Sequence, residues 1–124
     1  MSYPLTRLLA VATAGYGVFA LVRPDHLPKA MEAGPSDHEP LEQLARGYGV
    51  RDLVISGITL FGPAPGARRA GAVLRIANDL ADAALLSTRT DDAKVRAKVL
   101  TATLGWATLN TLALLRDLDG DPAR

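Results

Sequence analysis

The sequence predicts an all-α fold: an up-down-up-down antiparallel four-helix bundle forming a single domain over residues 1–124. Three observations lead there. Long breaker-free segments are separated by Pro/Gly clusters or by N-cap residues. No segment shows the period-two alternation of a strand, and no hairpin dipeptide separates β-branched runs. A chain of 124 residues has room for one core.

The elements follow in order. Pro4 suits a first helical turn, and the pattern then runs unbroken to Val22, where Arg23-Pro24 stops it. Residues 23–36 hold Pro24, Pro28, Gly34 and Pro35 and form the one long connection, with a short helical turn expected around Leu27 to Ala33. Ser36 and Glu39 stand at capping-box spacing, which starts the second helix near residue 37 and carries it to Phe61. Gly62-Pro63-Ala64-Pro65-Gly66 is a tight break. A third helix spans 67–87, and Thr90-Asp91-Asp92 supply N-cap chemistry for a fourth over 91–115. The polar tail 117–124, with Gly120 and Pro122, is expected to fray.

Composition excludes several functions. A net charge of +1 and the lack of a basic stripe with interleaved aromatics argue against nucleic-acid binding. Without cysteine there are no disulfides, thiolate metal sites or thiol catalysis. His26 and His38 lie in or beside the Pro-rich connection without a helical i, i+4 partner of the metalloprotease type, so they read as loop histidines and no metal is expected. No Glu-x-x-His pair of the di-iron bundles occurs, and Gly47-x-Gly49 does not follow a strand as a nucleotide loop would. No cofactor is expected. An aromatic share of only 5% means a core of Leu, Val and Ala, with helices in close approach.

Whether the solvent is water or lipid is finely balanced on composition. The longest charge-free stretches, Leu8–Val22, Leu53–Ala67 and Val99–Leu115, measure 15, 15 and 17 residues. Crossing a hydrocarbon core takes roughly 20. The third helix carries Arg75, Asp79 and Asp82 in its middle. On the other side stand small residues at helix-contact spacing: Gly15 and Gly17, then Ala45, Gly49 and Gly57, a stripe that Leu53 interrupts. Tyr3, Tyr48 and Trp106 could anchor at an interface. The apolar run after Arg7 ends in Arg23-Pro24-Asp25 without a small-residue cleavage site, so it reads as a mature helix.

The segment Arg46-Gly47-Tyr48-Gly49-Val50-Arg51-Asp52-Leu53, then Gly57, then Arg75-x-x-x-Asp79-x-x-Asp82-Ala83, resembles a family of small four-helix bacterial proteins similar in outline to DoxX-type membrane proteins. The likeness covers most of the chain, including the opening helix that ends in Arg23-Pro24. It implies a membrane location, against a cytoplasmic alternative. It carries no activity and no catalytic residues.

The charges within apolar segments are the candidate site. Arg75, Asp79 and Asp82 fall at i, i+4 and i+7 on one face, in line with Ala72, Ala83 and Leu86, so they point inward. Arg51 and Asp52 diverge by about 100° and are not expected to face one partner. With Arg46, three arginines balance three aspartates, as a buried network requires. Arg51 with Asp79, and Arg75 with Asp52 or Asp82, are the expected pairs. Thr101, Thr108 and Asn110 are the neutral polar groups of the last helix. Two readings stay open. In one, Arg46, Arg51 and Asp52 with the third-helix charges form a structural network or bind a lipophilic or amphipathic molecule or lipid. In the other, Asp79 and Asp82 act as acid and base of a cofactor-free cyclase, epoxide hydrolase or isomerase on a hydrophobic substrate, Arg75 orienting and Arg51 stabilising an anion. A soluble bundle dimerising through its small-residue faces is a third expectation.

Overall fold

A computed structural model of the chain describes residues 3–120, and among these the fold is all-helical. Five helices follow in order: α1 (Pro4–Val22), α2 (His26–Ala30), α3 (Pro35–Phe61), α4 (Pro65–Ser87) and α5 (Ala93–Asp119). Four are long. The fifth, α2, is the short turn expected in the long connection.

Three of the long helices open on proline at the first turn, namely Pro4, Pro35 and Pro65. Proline costs nothing there, because a first-turn N–H has no intrahelical partner and the ring fixes a helical φ. This rule wins over the expected capping box. α3 starts at Pro35 with Gly34 as N-cap and no side-chain cap, so Ser36 and Glu39 lie inside the helix. α4 likewise begins at Pro65, two residues before the expected Ala67. At α5 the expected chemistry operates: the Asp92 carboxylate accepts from the backbone N–H groups of Lys94 and Val95.

The short α2 ends in a Schellman turn. The Ala33 N–H donates to the Pro28 carbonyl and the Glu32 N–H to the Lys29 carbonyl, with Glu32 held at φ 50°. Lys29 reaches back to Asp25 at 2.8 Å, and that hydrogen bond holds the Asp25 carboxyl below its ordinary range.

The C-terminal end differs from expectation. α5 continues to Asp119, past Leu115, and Asp117 is buried rather than frayed. Its carboxylate accepts from the Thr6 N–H at 2.7 Å and the Leu5 N–H at 3.3 Å. Neither donor has a partner within α1, so an acid 111 residues distant caps the first helix. Residues 121–124 of the expected tail lie outside the described residues.

α1 packs on α3 and α5, α4 packs on α3 and α5, and α2 lies against α3. The tightest approach is between α1 and α3. A Cβ on Gly17 would stand 2.9 Å from the Gly49 carbonyl oxygen, and one on Gly49 would stand 2.8 Å from that of Gly17. Gly71 on α4 presses on the Thr59 side chain in the same way. Of the other members of the small-residue pattern, Ala45 is fully buried, whereas Gly15 and Gly57 face open space.

Burial is distributed unusually. A conventional apolar core exists only near α2, where Leu27 and Met31 pack on Leu41, Tyr48, Leu86 and Val99. Elsewhere the interior holds small or polar groups: Thr6, Thr13, Ser56, Thr59, Asn110, and the charges described below. Large apolar side chains face outward on every long helix, among them Leu8 and Val22 on α1, Val54 and Phe61 on α3, Leu80 on α4 and Leu112 on α5. Among the described residues, α1 alone is long and apolar enough by composition to cross a membrane, and 28% of its apolar window is buried.

The expected anchors move accordingly. Tyr3 and Tyr48 are buried, and Trp106 is half-buried. Thr101 and Thr108 are exposed, whereas Asn110 is buried and donates to the Trp106 carbonyl at 2.9 Å.

Candidate functional site

α3 and α4 each turn charges into the interior. Asp52, Asp79, Arg75 and Asp82 keep only 1%, 2%, 5% and 7% of their surface exposed. Position dictates this on α4, where i, i+4 and i+7 share the face that also carries Gly71 and Ala72. Small residues there let α3 come close enough for its own acid and base to meet that stripe.

Arg75 meets Asp52 as expected, but the partner of Arg51 differs from the expected one. Arg51 holds Asp82, not Asp79, in a two-pronged contact: Nη1 to Oδ1 and Nη2 to Oδ2, both 2.8 Å. Such fork-to-fork pairs are among the strong charge-assisted contacts. Arg75 bridges two acids, donating from Nη1 to Asp52 Oδ1 and from Nη2 to Asp79 Oδ1, both at 2.6 Å. Asp52 Oδ1 also accepts from Arg51 Nε at 3.1 Å. The expected divergence of Arg51 and Asp52 is therefore overturned. Their Cα–Cβ bonds do point apart, but the long guanidinium stem folds back over its neighbour. The Arg51 guanidinium also lies 4.4 Å from the centre of the Tyr48 ring.

Arg46 does not join the cluster. Exposed on the outer face of α3, it approaches Glu42 at 3.8 Å. Its absence breaks the balance drawn from the sequence: three carboxylates face two guanidiniums. Asp79 shows the consequence. Its Oδ1 is engaged by Arg75, while its Oδ2 is buried without a hydrogen-bond partner. The Nε of Arg75 is in the same position.

Beside the cluster lies a cavity of about 480 Å³. Arg51, Asp52, Arg75, Asp79 and Asp82 line one part of it. Leu27, Met31, Leu86, Val99 and Trp106 supply apolar wall. His26 and the exposed Lys98 line it toward the α2 end, and Lys98 sits 4.0 Å from Glu32. A separate void of about 10 Å³, room for roughly one water molecule, adjoins Arg75 between Thr6, Thr13, Ser56 and Asn110.

No family model, curated protein or solved structure matches this chain.

Several residues of the cavity escaped the sequence reading. His26, expected in a loop, is the first residue of α2. Its Nδ1 donates to the Arg23 carbonyl at 2.8 Å and its Nε2 shares a 2.9 Å hydrogen bond with the Tyr16 hydroxyl. Phe19 packs against the ring at 5.0 Å between centroids. The helical turn expected over Leu27 to Ala33 was the available signal, since it draws the preceding residue against α1. His38, also expected in a loop, lies within α3 and pairs with Glu42, one turn on, at 3.1 Å. Among the described residues, no group of three His, Asp or Glu side chains could hold a metal ion.

The chemistry open to this arrangement is limited by prior commitments. Both oxygens of Asp82 and all three nitrogens of the Arg51 guanidinium are occupied by each other or by Asp52. Each already has its counter-charge within the cluster. Asp79 lines the cavity, and its Oδ2 is the carboxylate oxygen of the cluster that is buried and unshared.

Proposed function

We propose that this chain is an integral membrane protein whose four long helices cross the bilayer in alternating directions around a cavity that binds a lipophilic or amphipathic small molecule. The observation that carries the ligand is the cavity itself. Its volume of about 480 Å³ lies within the roughly 300–1,000 Å³ of small-molecule sites. Its walls are mainly apolar with a few convergent polar groups, the usual make-up of such a site.

The membrane reading rests on where the charges are absent. On α4 no exposed charge occurs from Ala70 to Thr88, which is about 28 Å of helix at ~1.5 Å per residue. The corresponding stretches are Val99–Leu115 on α5, about 25 Å, and Leu8–Val22 on α1, about 22 Å. On α3 no exposed charge follows Arg46 up to Phe61. These lengths approach a hydrocarbon core of ~30 Å, and flanking Arg and Lys can snorkel to cover the remainder. The alternating direction is supported by two contacts. Asp117 near the end of α5 caps the start of α1, and Gly17 meets both Gly49 and Leu53 while Leu21 meets Gly49. The likeness to DoxX-type membrane proteins accords with this reading.

The test is fractionation followed by probe binding. Retention in membranes after an alkaline wash is the expected outcome, and recovery in the soluble fraction without detergent overturns the membrane assignment in favour of a soluble bundle. For the cavity, the neutral fluorophore N-phenylnaphthylamine should bind the detergent-purified chain saturably. Ala102→Phe, which fills the cavity wall, should abolish that binding. Unsaturable partition that is equal in both proteins removes the ligand.

A further inference from the structure

Resting on the cavity reading above, we infer that the ligand carries a protonated amine at one end of an apolar body, and that this ammonium donates to Asp79 Oδ2. Three independent features converge on that chemistry. The cluster holds three aspartates against two arginines, because Arg46 stands outside it. The excess falls on Asp79, which lines the cavity, with its Oδ1 bonded to Arg75 and its Oδ2 buried without a partner. A buried acceptor left unpaired is costly, so a donor from the ligand gains at this atom what it cannot gain at Asp82, where Arg51 fills both oxygens. An anionic head would meet the reverse situation. The Nη groups of both arginines are engaged by aspartates, and the unpartnered guanidinium donor of the cluster, Arg75 Nε, is a single N–H rather than a fork.

The other charged group lining the cavity does not change the sign. Lys98 is exposed and lies beside Glu32, which offsets it. His26 is held by the Arg23 carbonyl and Tyr16. The remaining wall, including Leu27, Met31, Leu86, Val99 and Trp106, suits an alkyl or aromatic body. The ligand class is therefore a lipophilic primary or secondary amine.

Trp106, the single tryptophan of the chain, lines the cavity and reports on its contents. The probes are dodecylamine, dodecanol and dodecanoate, titrated into the full chain in neutral detergent micelles while Trp106 emission is followed. Saturable binding in the order amine, alcohol, acid is expected, with the amine at least about tenfold tighter than the acid. Asp79→Asn keeps an oxygen for Arg75 and should bring amine and alcohol to within about twofold of each other. Equal binding of alcohol and amine by the native chain overturns the amine while leaving the cavity intact, and so does an amine preference that survives in Asp79→Asn. Tighter binding of dodecanoate overturns it as well. If no probe binds saturably and N-phenylnaphthylamine also fails, the cavity reading falls first and the amine with it. The native chain alone decides between head groups, so the inference stays open to refutation even if the variant does not fold.

Discussion

Asp79 and Asp82 sit three residues apart on one helix face, yet their surroundings assign them different tasks. Asp82 is locked by Arg51 through two 2.8 Å contacts, so Asp82→Asn leaves the guanidinium with only Asp52, which it must share with Arg75. Losing one partner of a buried pair costs about 3–5 kcal/mol. Asp79→Asn removes the surplus charge and keeps the Arg75 contact, so its cost should be about 1 kcal/mol or less. Thermal unfolding of both variants in one detergent checks this; equal loss would mean that the two acids share one structural role. At the other end, Asp117→Ala removes the cap of α1 and should cost about 1 kcal/mol. The inward stripe Arg75, Asp79, Asp82 was legible in the sequence because a helix period fixes which residues share a face. The partner of Arg51 was not. An arginine side chain reaches far enough to reverse the direction of its Cα–Cβ bond, and periodicity says nothing of that reach. Asp117 was illegible for a related reason: its partner, the N-terminus of α1, lies at the opposite end of the chain.

Among the elements, the α1–α3 contact is the most exacting. Gly17 and Gly49 press backbone on backbone, so Gly17→Val or Gly49→Val must part the helices, whereas Gly15→Ala faces open space. The first two should lower the unfolding temperature sharply and the third should leave it unchanged or slightly raised, since alanine is the better helix former. A stripe of small residues announces close packing, but the sequence could not say which of its members touch. Rotation of each helix about its axis decides that, and a repeat of several glycines leaves the rotation undetermined. The short α2 offers an opposite prediction. Glu32 occupies the left-handed position of its Schellman turn, where a side chain is strained and glycine is not. Glu32→Gly should therefore stabilise the chain by about 0.5–1 kcal/mol, read as a rise in the unfolding temperature. A fall would place the worth of Glu32 in its contact with Lys98 instead. Two helix starts were misread by two residues where proline competed with a capping box, at Pro35, or was read as part of a breaker, at Pro65.

At the level of the whole molecule, polar groups lie inside and large apolar side chains outside. A linear count of charges places α4 among the least membrane-like segments, with Arg75, Asp79 and Asp82 at its centre. Folded, the same helix shows none of the three to its surroundings. The sequence already held this information in the helical period, but a sliding window discards angle and keeps only the sum. The outer surface gives a direct prediction. Leu80 and Leu109 are exposed near the middle of the charge-free bands of α4 and α5. Arginine at either place should lower the membrane-retained yield, at roughly 2.5–3.5 kcal/mol per substitution. A soluble bundle would accept the same changes with no loss, or with improved solubility.

The buried cluster also constrains how such a chain could be built. Presented alone to a bilayer, α4 would pair Arg75 with Asp79 and leave Asp82 without a counter-charge, and α3 would hold only the Arg51–Asp52 pair. Each naked charge costs roughly 2.5–3.5 kcal/mol at the centre of a lone helix. Joined by the tight turn at residues 62–64, the two segments can satisfy one another through the Arg51–Asp82 and Arg75–Asp52 contacts before either meets lipid. Biogenesis is then a matter of hairpins rather than single strokes: α4 expressed without α3 should be left outside the bilayer, while the α3–α4 pair should enter together, as glycosylation mapping of the two fragments would reveal.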